Sequence, residues 1–279
     1  MPRLPAALRS VAFAALALAA FVGCASSEDA ASGGTDDDIV GGKPDARWPA
    51  AGFLSHGGDV TAAGKAAVSC GATLVAPNVV VTAAHCVQRA PNDVWVFGAG
   101  ELGTRAPVKV AAVRIHPQFH EAPKSMVDVR YFLKNFDLAT LILETPIRDV
   151  APATLPAAAT PVGCSYRAVG YRADATSRAR RRSTGACVQF RLDLGGDPIF
   201  EVHPTGSSAL CNGDGDEGSP MLETPSDTAA PVLHGIYVGS VTQGLTDCRR
   251  GTQFLDGYEA MYGFRDFVNE GIAEGKKRL

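Results

Sequence analysis

The stretch Ser69–Val87, SCGATLVAPNVVVTAAHCV, holds two short β-branched apolar runs on either side of a Pro-Asn pair. Runs of this kind recur along the chain between clusters of Gly, Pro and Asp. The clearest are ATLVAP (72–77), VVVTAA (79–84), DVWVFGAG (93–100), VKVAAVRIHP (108–117), LATLILETP (138–146), SYRAVGY (165–171), CVQFRLDL (187–194) and LHGIYVGSV (233–241). Regular spacing of short β-branched runs is typical of a sandwich or barrel. The sequence therefore predicts an all-β fold.

One segment near the end of the chain departs from this pattern. In YGFRDFVNEGIAEGKK (262–277) the apolar residues recur at helical spacing. The residues on the common stripe are Phe264, Phe267, Val268 and Ile272. Such a stripe is the face with which a surface helix packs on a core. We therefore expect a C-terminal helix.

The composition of the chain indicates which classes of fold and partner it can have. A hydrophobic fraction of 46% over 279 residues is sufficient for a sizeable core. The formal net charge of −3 gives no basic footprint for nucleic acid. The one basic cluster, SRARRRS (177–183), is typical of an exposed loop. We predict no nucleic-acid partner.

The N-terminus carries an export signal. Arg3 and Arg9 precede the apolar run VAFAALALAAFV (11–22), which is shorter than the ~20 residues of a membrane-spanning helix. The run ends in Gly23 and Cys24, an ending that resembles the lipobox of bacterial lipoproteins. This resemblance implies a signal peptide over 1–23 and a lipid on Cys24, which would anchor the chain to the bacterial cell envelope. Ordinary cleavage nearby, with Cys24 unmodified and the protein secreted, is the alternative.

The segment after Cys24 differs in composition from the rest of the chain. Residues 24–38 are small, polar and acidic, with no aliphatic side chain larger than Ala. Such a segment cannot bury enough apolar surface to offset its ordering entropy. We expect a flexible tether over 24–38 and a folded domain over 39–279.

The number of cysteines is consistent with an exported protein. The chain has seven, and setting Cys24 aside for lipid leaves an even set of six. An even set is typical of an oxidising compartment, although six cysteines allow fifteen pairings. Within Ser69–Val87, Cys70 and Cys86 can join two strands and place His85 at a strand end.

A histidine and an aspartate are candidates for chemistry. Asp137 precedes the apolar run LATLILETP, so its carboxylate enters a core and needs a partner. The imidazole of His85 is suitable, because an N–H donated to the carboxylate fixes the tautomer in which the other ring nitrogen acts as a base. The sequence predicts that these two side chains meet.

Four elements together identify a family. IVGG (39–42), TAAHC (82–86), FDLATL (136–141) and a late GD…GSP element resemble the trypsin- and chymotrypsin-like serine endopeptidases, peptidase family S1. The resemblance implies two antiparallel six-stranded β-barrels, a cleft between them and a C-terminal helix. It further implies His85 as general base and Asp137 as its orienting carboxylate, acting on a protein or peptide.

The same resemblance bears on the disulfides. It implies the pairs Cys70–Cys86 and Cys211–Cys248. Cys164 and Cys187 then remain as a third pair, which would join adjacent strands of the second barrel.

The nucleophile loop, CNGDGDEGSP (211–220), departs from the family's CxGDSGGP or GDSGSP. Aligned on Pro220, Glu217 stands at the serine position, and Asp216 is the carboxylate that would pair with an α-amine freed at Ile39. When the loop is aligned on Cys211 instead, Gly215 stands at the serine position. Ser219 is the alternative nucleophile, although it maps to a glycine of the motif. A glutamate at this position would place negative charge where the oxyanion must develop.

The residues at the specificity pocket and at the activation site also depart from the family's sequence pattern. Ala209 stands where trypsin keeps an Asp, and the family's SWG reads Val238, Gly239 and Ser240. TDDD rather than a basic residue precedes Ile39, so a trypsin-like activator would not cut there. The sequence gives no support for trypsin-type specificity.

Three functions follow from these residues. The first is an inactive, lipid-anchored S1 homologue that binds a protein or peptide. The second is an active serine endopeptidase that uses Ser219. The third is a structural envelope protein with Ca²⁺ in the loop, whose oxygen ligands would be Asn212, Asp214, Asp216 and Glu217. The loop does not match an EF-hand. We favour the first function and predict no metal and no cofactor.

Overall fold

The computed structural model describes residues 42–57, 68–100, 103–120, 136–171, 182–193, 198–204, 215–224, 229–242 and 253–279. Several sequence predictions lie outside these residues. They concern the signal peptide, the tether, Cys24, Ile39, Ala209, Cys211, Asn212, Asp214 and Cys248.

The described elements are almost all strands. In chain order they are β1 (Lys43–Pro44), β2 (Ala51–His56), β3 (Cys70–Ala76), β4 (Val79–Thr82), α1 (Ala84–Val87), β5 (Trp95–Ala99), β6 (Val108–Ile115), β7 (Ala139–Leu143), β8 (Gly163–Gly170), β9 (Arg182–Asp193), β10 (Pro198–Pro204), β11 (Pro220–Glu223), β12 (Val232–Thr242), β13 (Gln253–Ala260) and α2 (Arg265–Lys276). Each of the eight predicted apolar runs contains part of a strand.

The strands form two barrels. The first is closed and antiparallel, in the order β2-β3-β4-β7-β6-β5. In the second, β9-β10-β13-β12-β11-β8 are neighbours, and β8 also pairs with β9, so that these six strands form a ring to which β1 is added. The predicted chymotrypsin-like architecture is confirmed. Barrel closure removes the exposed sheet edges through which chains aggregate.

The two barrels have different interiors. Strands β3, β4, β5 and β7 of the first barrel are buried along their whole length and consist mainly of Val, Leu, Ala and Phe. The second barrel surrounds a smaller apolar cluster with three tyrosines, Tyr166, Tyr237 and Tyr258. Tyrosine combines a large apolar area with a hydroxyl that needs a hydrogen-bond partner when buried. The second interior is therefore the more polar of the two.

The C-terminal helix α2 packs on the first barrel, as its apolar stripe predicts. Phe264, Phe267 and Val268 are buried. Gly275 lies so close to β4 that an added Cβ would be 2.5 Å from Val79 Cγ2, and its carbonyl accepts a hydrogen bond from Asn78 Nδ2 at 2.9 Å. Neither helix of the described residues is long and apolar enough to cross a membrane.

The Tyr171 side chain connects the two barrels directly. Tyr171 follows β8 of the second barrel and is completely buried. Its single hydroxyl proton is shared between two carbonyl acceptors of the first barrel, that of Ala51, at 2.8 Å, and that of Gly100. Because backbone carbonyls buried without a donor are unfavourable, this hydroxyl favours a single relative placement of the barrels.

We expect Tyr171→Phe to lower the free energy of unfolding by about 1–3 kcal/mol, because the Gly100 carbonyl loses this donor, whereas the Ala51 carbonyl keeps the N–H of Gly100 at 3.1 Å. Urea denaturation monitored by tryptophan fluorescence measures the change. Tyr258→Phe is the matched control, since the Tyr258 hydroxyl is buried and has no hydrogen-bond partner among the described residues. Equal stability losses in the two variants would contradict the prediction.

Candidate active site

His85 lies on the one-turn helix α1, directly after β4. The sequence placed it at a strand end. β4 in fact ends at Thr82, and His85 lies in α1, which begins at Ala84. The disulfide Cys70–Cys86, one of the predicted pairs, ties this turn to β3. The His85 side chain is 31% exposed and accessible from solvent.

Asp137 is the main partner of His85. It precedes β7, as predicted, and its side chain is 6% exposed. Oδ2 of Asp137 lies 2.5 Å from His85 Nδ1, and Oδ1 accepts the backbone N–H of His85 at 2.8 Å. The buried carboxylate is thus satisfied by two N–H groups of one residue. This geometry assigns the proton to Nδ1 and leaves Nε2 as the acceptor.

The residue before Asp137 has an unusual backbone. Phe136 has φ of +44°, a region that β-carbon-bearing residues rarely adopt. Its ring is stacked on His116, with centroids 5.1 Å apart and an interplanar angle of 4°. Phe264 and Phe267 pack edge-on against the same His116 ring. Aromatic packing from β6 and α2 therefore offsets the backbone strain beside Asp137.

The loop before β11 brings Glu217 to the same region. Gly215 and Gly218 flank the turn with φ of +90° and +80°. The carbonyl of Glu217 accepts the N–H of Gly71, at 2.7 Å. Sulfur Sγ of Cys86 lies 3.8 Å from that carbonyl oxygen and 3.9 Å from His85 Nε2. The Glu217 turn of the second barrel and the His85 imidazole of the first thus both contact the disulfide Cys70–Cys86.

Ser219 lies beneath this turn. It is completely buried, and its hydroxyl has no hydrogen-bond partner among the described residues. It faces β3 so closely that a Cβ on Gly71 would overlap Ser219 Oγ. Its N–H donates to the Asp216 carbonyl at 3.0 Å, and its carbonyl accepts the N–H of Tyr237 at 2.8 Å.

Asp216 is completely buried as well. Its Oδ1 accepts the backbone N–H of Tyr171 at 3.2 Å, so the loop carboxylate is joined to the residue that links the barrels. Its proposed partner, Ile39, lies outside the described residues.

The predicted pocket residues Val238, Gly239 and Ser240 lie on β12. Val238 is buried, Gly239 is opposite Gly257 on β13, and Ser240 is opposite Asp256. The neighbouring Tyr258 is completely buried, and burial, with Asp256 and Asp216 nearby, raises its phenol pKa well above the usual value. The β13 side of this region is therefore acidic, a feature that the pocket sequence alone did not predict.

The second predicted disulfide, Cys164–Cys187, joins the neighbouring strands β8 and β9. Among the described residues, the one group of three possible metal ligands is Cys70, His85 and Cys86. Both of its sulfurs are bonded to each other, so neither is a thiolate that could bind a metal.

Sequence analysis missed one member of the site, Glu259 on β13. This side chain is completely buried, and its Oε1 accepts the backbone N–H of Asp137 at 2.7 Å. The available signal was a glutamate within an otherwise apolar stretch, YEAM (258–261). A buried carboxylate needs hydrogen-bonded partners, so such a position marks a polar contact in the core.

Two histidines make stability depend on pH. The pKa of His116 lies below its ordinary 6.5, mainly because the ring is partly buried and secondly because the positive charge of Arg114 is nearby. Burial also lowers the pKa of His234, although Glu223 opposes this shift. The unfolded chain then binds protons more readily, so stability is complete above about pH 6.5 and is lost as pH falls through the lowered values.

We therefore expect the midpoint of urea unfolding to fall between pH 7.5 and pH 5. His116→Phe keeps the aromatic packing but cannot be protonated, so it should reduce the slope. His120→Gln, a substitution of an exposed histidine, is the matched control. A wild-type midpoint that rises on acidification would contradict the assignment.

Comparison with known proteins agrees with this architecture. Residues 39–267 match the family model described as Trypsin. A segment of 86 residues is 39% identical to a trypsin of Saccharopolyspora erythraea, and this segment spans 29% of the chain and 33% of that trypsin. The family match covers both barrels and the first three residues of α2, and it includes His85, Asp137 and Glu217. The chain belongs to the trypsin family of peptidases.

Proposed function

We propose that this protein is a proteolytically inactive member of the trypsin family that binds a protein or peptide in the cleft beside His85. The observation that carries the proposal is the turn Gly215–Gly218, which presents Glu217, and no serine, on the disulfide that His85 also contacts. The family's fold supports binding of an extended polypeptide, and the two disulfides are typical of an exported protein.

Glu217 is unsuited to replace the nucleophile. A carboxylate attacks an amide poorly, and at neutral pH its negative charge would oppose the oxyanion that forms during acyl transfer. The backbone of the turn nevertheless keeps the two positive-φ glycines that the family motif has at its corresponding positions when aligned on Pro220. The substitution therefore removes the attacking group and leaves the surrounding shape in place.

The alternative is an active endopeptidase that uses Ser219. Retention of the His85–Asp137 contact favours it. The burial of Ser219 against Gly71 opposes it, because Oγ would have to leave the space beneath the turn to meet a substrate. Such a movement would also break the hydrogen bonds that Ser219 makes to Asp216 and Tyr237. The geometry supports the inactive form better.

We further propose that the signal peptide over 1–23 directs export and that a lipid on Cys24 anchors the domain through the tether 24–38. The motivating observation is the apolar run followed by Gly23 and Cys24. Anchoring would keep a binding domain at the cell envelope, where it could retain a polypeptide without cleaving it.

Covalent labelling tests the loss of the nucleophile. A fluorophosphonate probe reacts with an activated serine, so wild-type protein with a free Ile39 amine should take no label. Glu217→Ser should be labelled, and adding His85→Ala should slow that labelling by at least about 10³-fold, since the base is lost. Intact and peptide mass spectrometry gives the extent and the position of labelling.

Two controls separate the alternatives. Glu217→Ala removes the carboxylate without supplying a hydroxyl and should remain unlabelled. Ser219→Ala in the Glu217→Ser background should still be labelled. Wild-type labelling on Ser219 would establish the active alternative, and failure of Glu217→Ser to react would mean that the surrounding site is not assembled.

Lipid attachment has its own test. Globomycin blocks cleavage of lipoprotein signal peptides, so treated cells should accumulate a precursor larger than the mature protein by the mass of residues 1–23. Cys24→Ser should abolish both lipid incorporation and the globomycin-dependent shift. An unchanged size distribution in treated cells would leave ordinary signal cleavage as the correct description.

A further inference from the structure

Glu259 contacts the site through the backbone of Asp137. It lies on β13, opposite Ile199 of β10 and Ile236 of β12, so its backbone is fixed in the interior of the second barrel's sheet. Its side chain leaves that sheet and reaches the first barrel, where Oε1 accepts the N–H of Asp137 at 2.7 Å. The residue is completely buried. An interior backbone N–H such as that of Asp137 is costly to leave without an acceptor.

The segment that Glu259 contacts does not hold its conformation by local preference. Phe136 is in the left-handed region, which costs a residue with a β-carbon about 1 kcal/mol or more. The chain turns tightly there, and the N–H of Leu138 donates to the carbonyl of Phe136 at 2.8 Å. Without an acceptor for its own N–H, Asp137 could relax out of this turn and move its carboxylate.

A movement of Asp137 would change the hydrogen bonds that its carboxylate makes to His85. The carboxylate makes two hydrogen bonds to His85, one to the backbone and one to Nδ1. Both require that Oδ1 and Oδ2 face α1 at the same time. The position of the Asp137 backbone therefore decides the tautomer and direction of the imidazole.

We propose that Glu259 is a positioning residue, which holds the Asp137 backbone from the second barrel so that the Asp137 carboxylate meets His85. Its role is to supply a hydrogen-bond acceptor for the Asp137 N–H at a fixed position. The proposal rests on the proposed function only in treating His85 and Asp137 as the retained catalytic pair.

The test uses three substitutions in the full chain. Glu259→Gln keeps an oxygen acceptor of the same length and removes the carboxyl group. Glu259→Met keeps the length and the buried volume without an acceptor. Asn78→Ala is the matched control, because Asn78 also makes a buried hydrogen bond to a backbone group, Gly275 O, away from the site.

The first measurement is the proton resonance of His85 Nδ1–H in protein labelled with ¹⁵N-histidine. A proton held between imidazole and carboxylate resonates at low field and exchanges slowly, and His85→Ala assigns it. We expect the resonance in wild type, Glu259→Gln and Asn78→Ala, and its loss in Glu259→Met. Melting curves confirm that each variant is folded. This measurement needs no activity and stands whether or not the protein is a protease.

The second measurement is fluorophosphonate labelling in the Glu217→Ser background. Glu259→Met should slow labelling by about 10²-fold, the effect of a displacement of about 1 Å in a catalytic pair. Glu259→Gln and Asn78→Ala should change it little. If the Glu217→Ser background takes no label, the proposed function fails while the resonance still decides the role of Glu259.

Each result bears on the proposal. A Glu259→Met protein that keeps the low-field resonance overturns it, and so does loss of the resonance in a folded Glu259→Gln protein. If Glu259→Met does not fold, Glu259→Asp withdraws the acceptor by one methylene. A weakened resonance in folded Glu259→Asp then supports the proposal, and an unchanged one refutes it.

Discussion

The buried carboxylate of Asp137 is the constraint on which the candidate site depends. A carboxylate at 6% exposure is tolerated only with hydrogen-bonded partners, and an unpaired charge in such a place costs about 3–5 kcal/mol. His85 supplies two of these partners, from its backbone and its ring. The need to satisfy one acid in the core therefore fixes the conformation of α1 and the direction of the imidazole. This requirement holds whether or not a nucleophile is present.

The surroundings of the turn at Glu217 are similarly independent of the residue that the turn presents. Gly218 packs where a Cβ would overlap Thr82 Oγ1 and the Gly71 carbonyl, and the hydroxyl of Thr82 donates to that carbonyl at 2.8 Å. These contacts involve backbone atoms and small side chains beneath the turn. None of these contacts involves the Glu217 side chain, so a substitution at this position leaves them in place.

Much of this architecture was predictable from local pattern, and the failures have a common cause. The eight apolar runs lie on strands because their side chains are β-branched and their ends are marked by Gly, Pro or Asp. Strand β13, QFLDGYEA, carries Asp, Gly and Glu, which are depleted in strands, and it gave no signal. Its strand conformation comes from pairing with β10 and β12. Glu259 was missed for the same reason, because its partner is 122 residues away in the chain.

The second barrel contributes two buried carboxyl groups to the site in addition to the residue at position 217. Asp216 receives the N–H of Tyr171, whose hydroxyl is bonded to the first barrel, and Glu259 receives the N–H of Asp137. Both contacts pair a buried carboxyl group with a backbone N–H, so neither depends on an exposed side chain that solvent could displace. Because the His85–Asp137 pair and the Glu217 turn belong to different barrels, their mutual placement depends on these contacts and on the hydrogen bond from the Gly71 N–H to the Glu217 carbonyl. A change confined to the barrel interface can alter the site while leaving His85, Asp137 and Glu217 untouched.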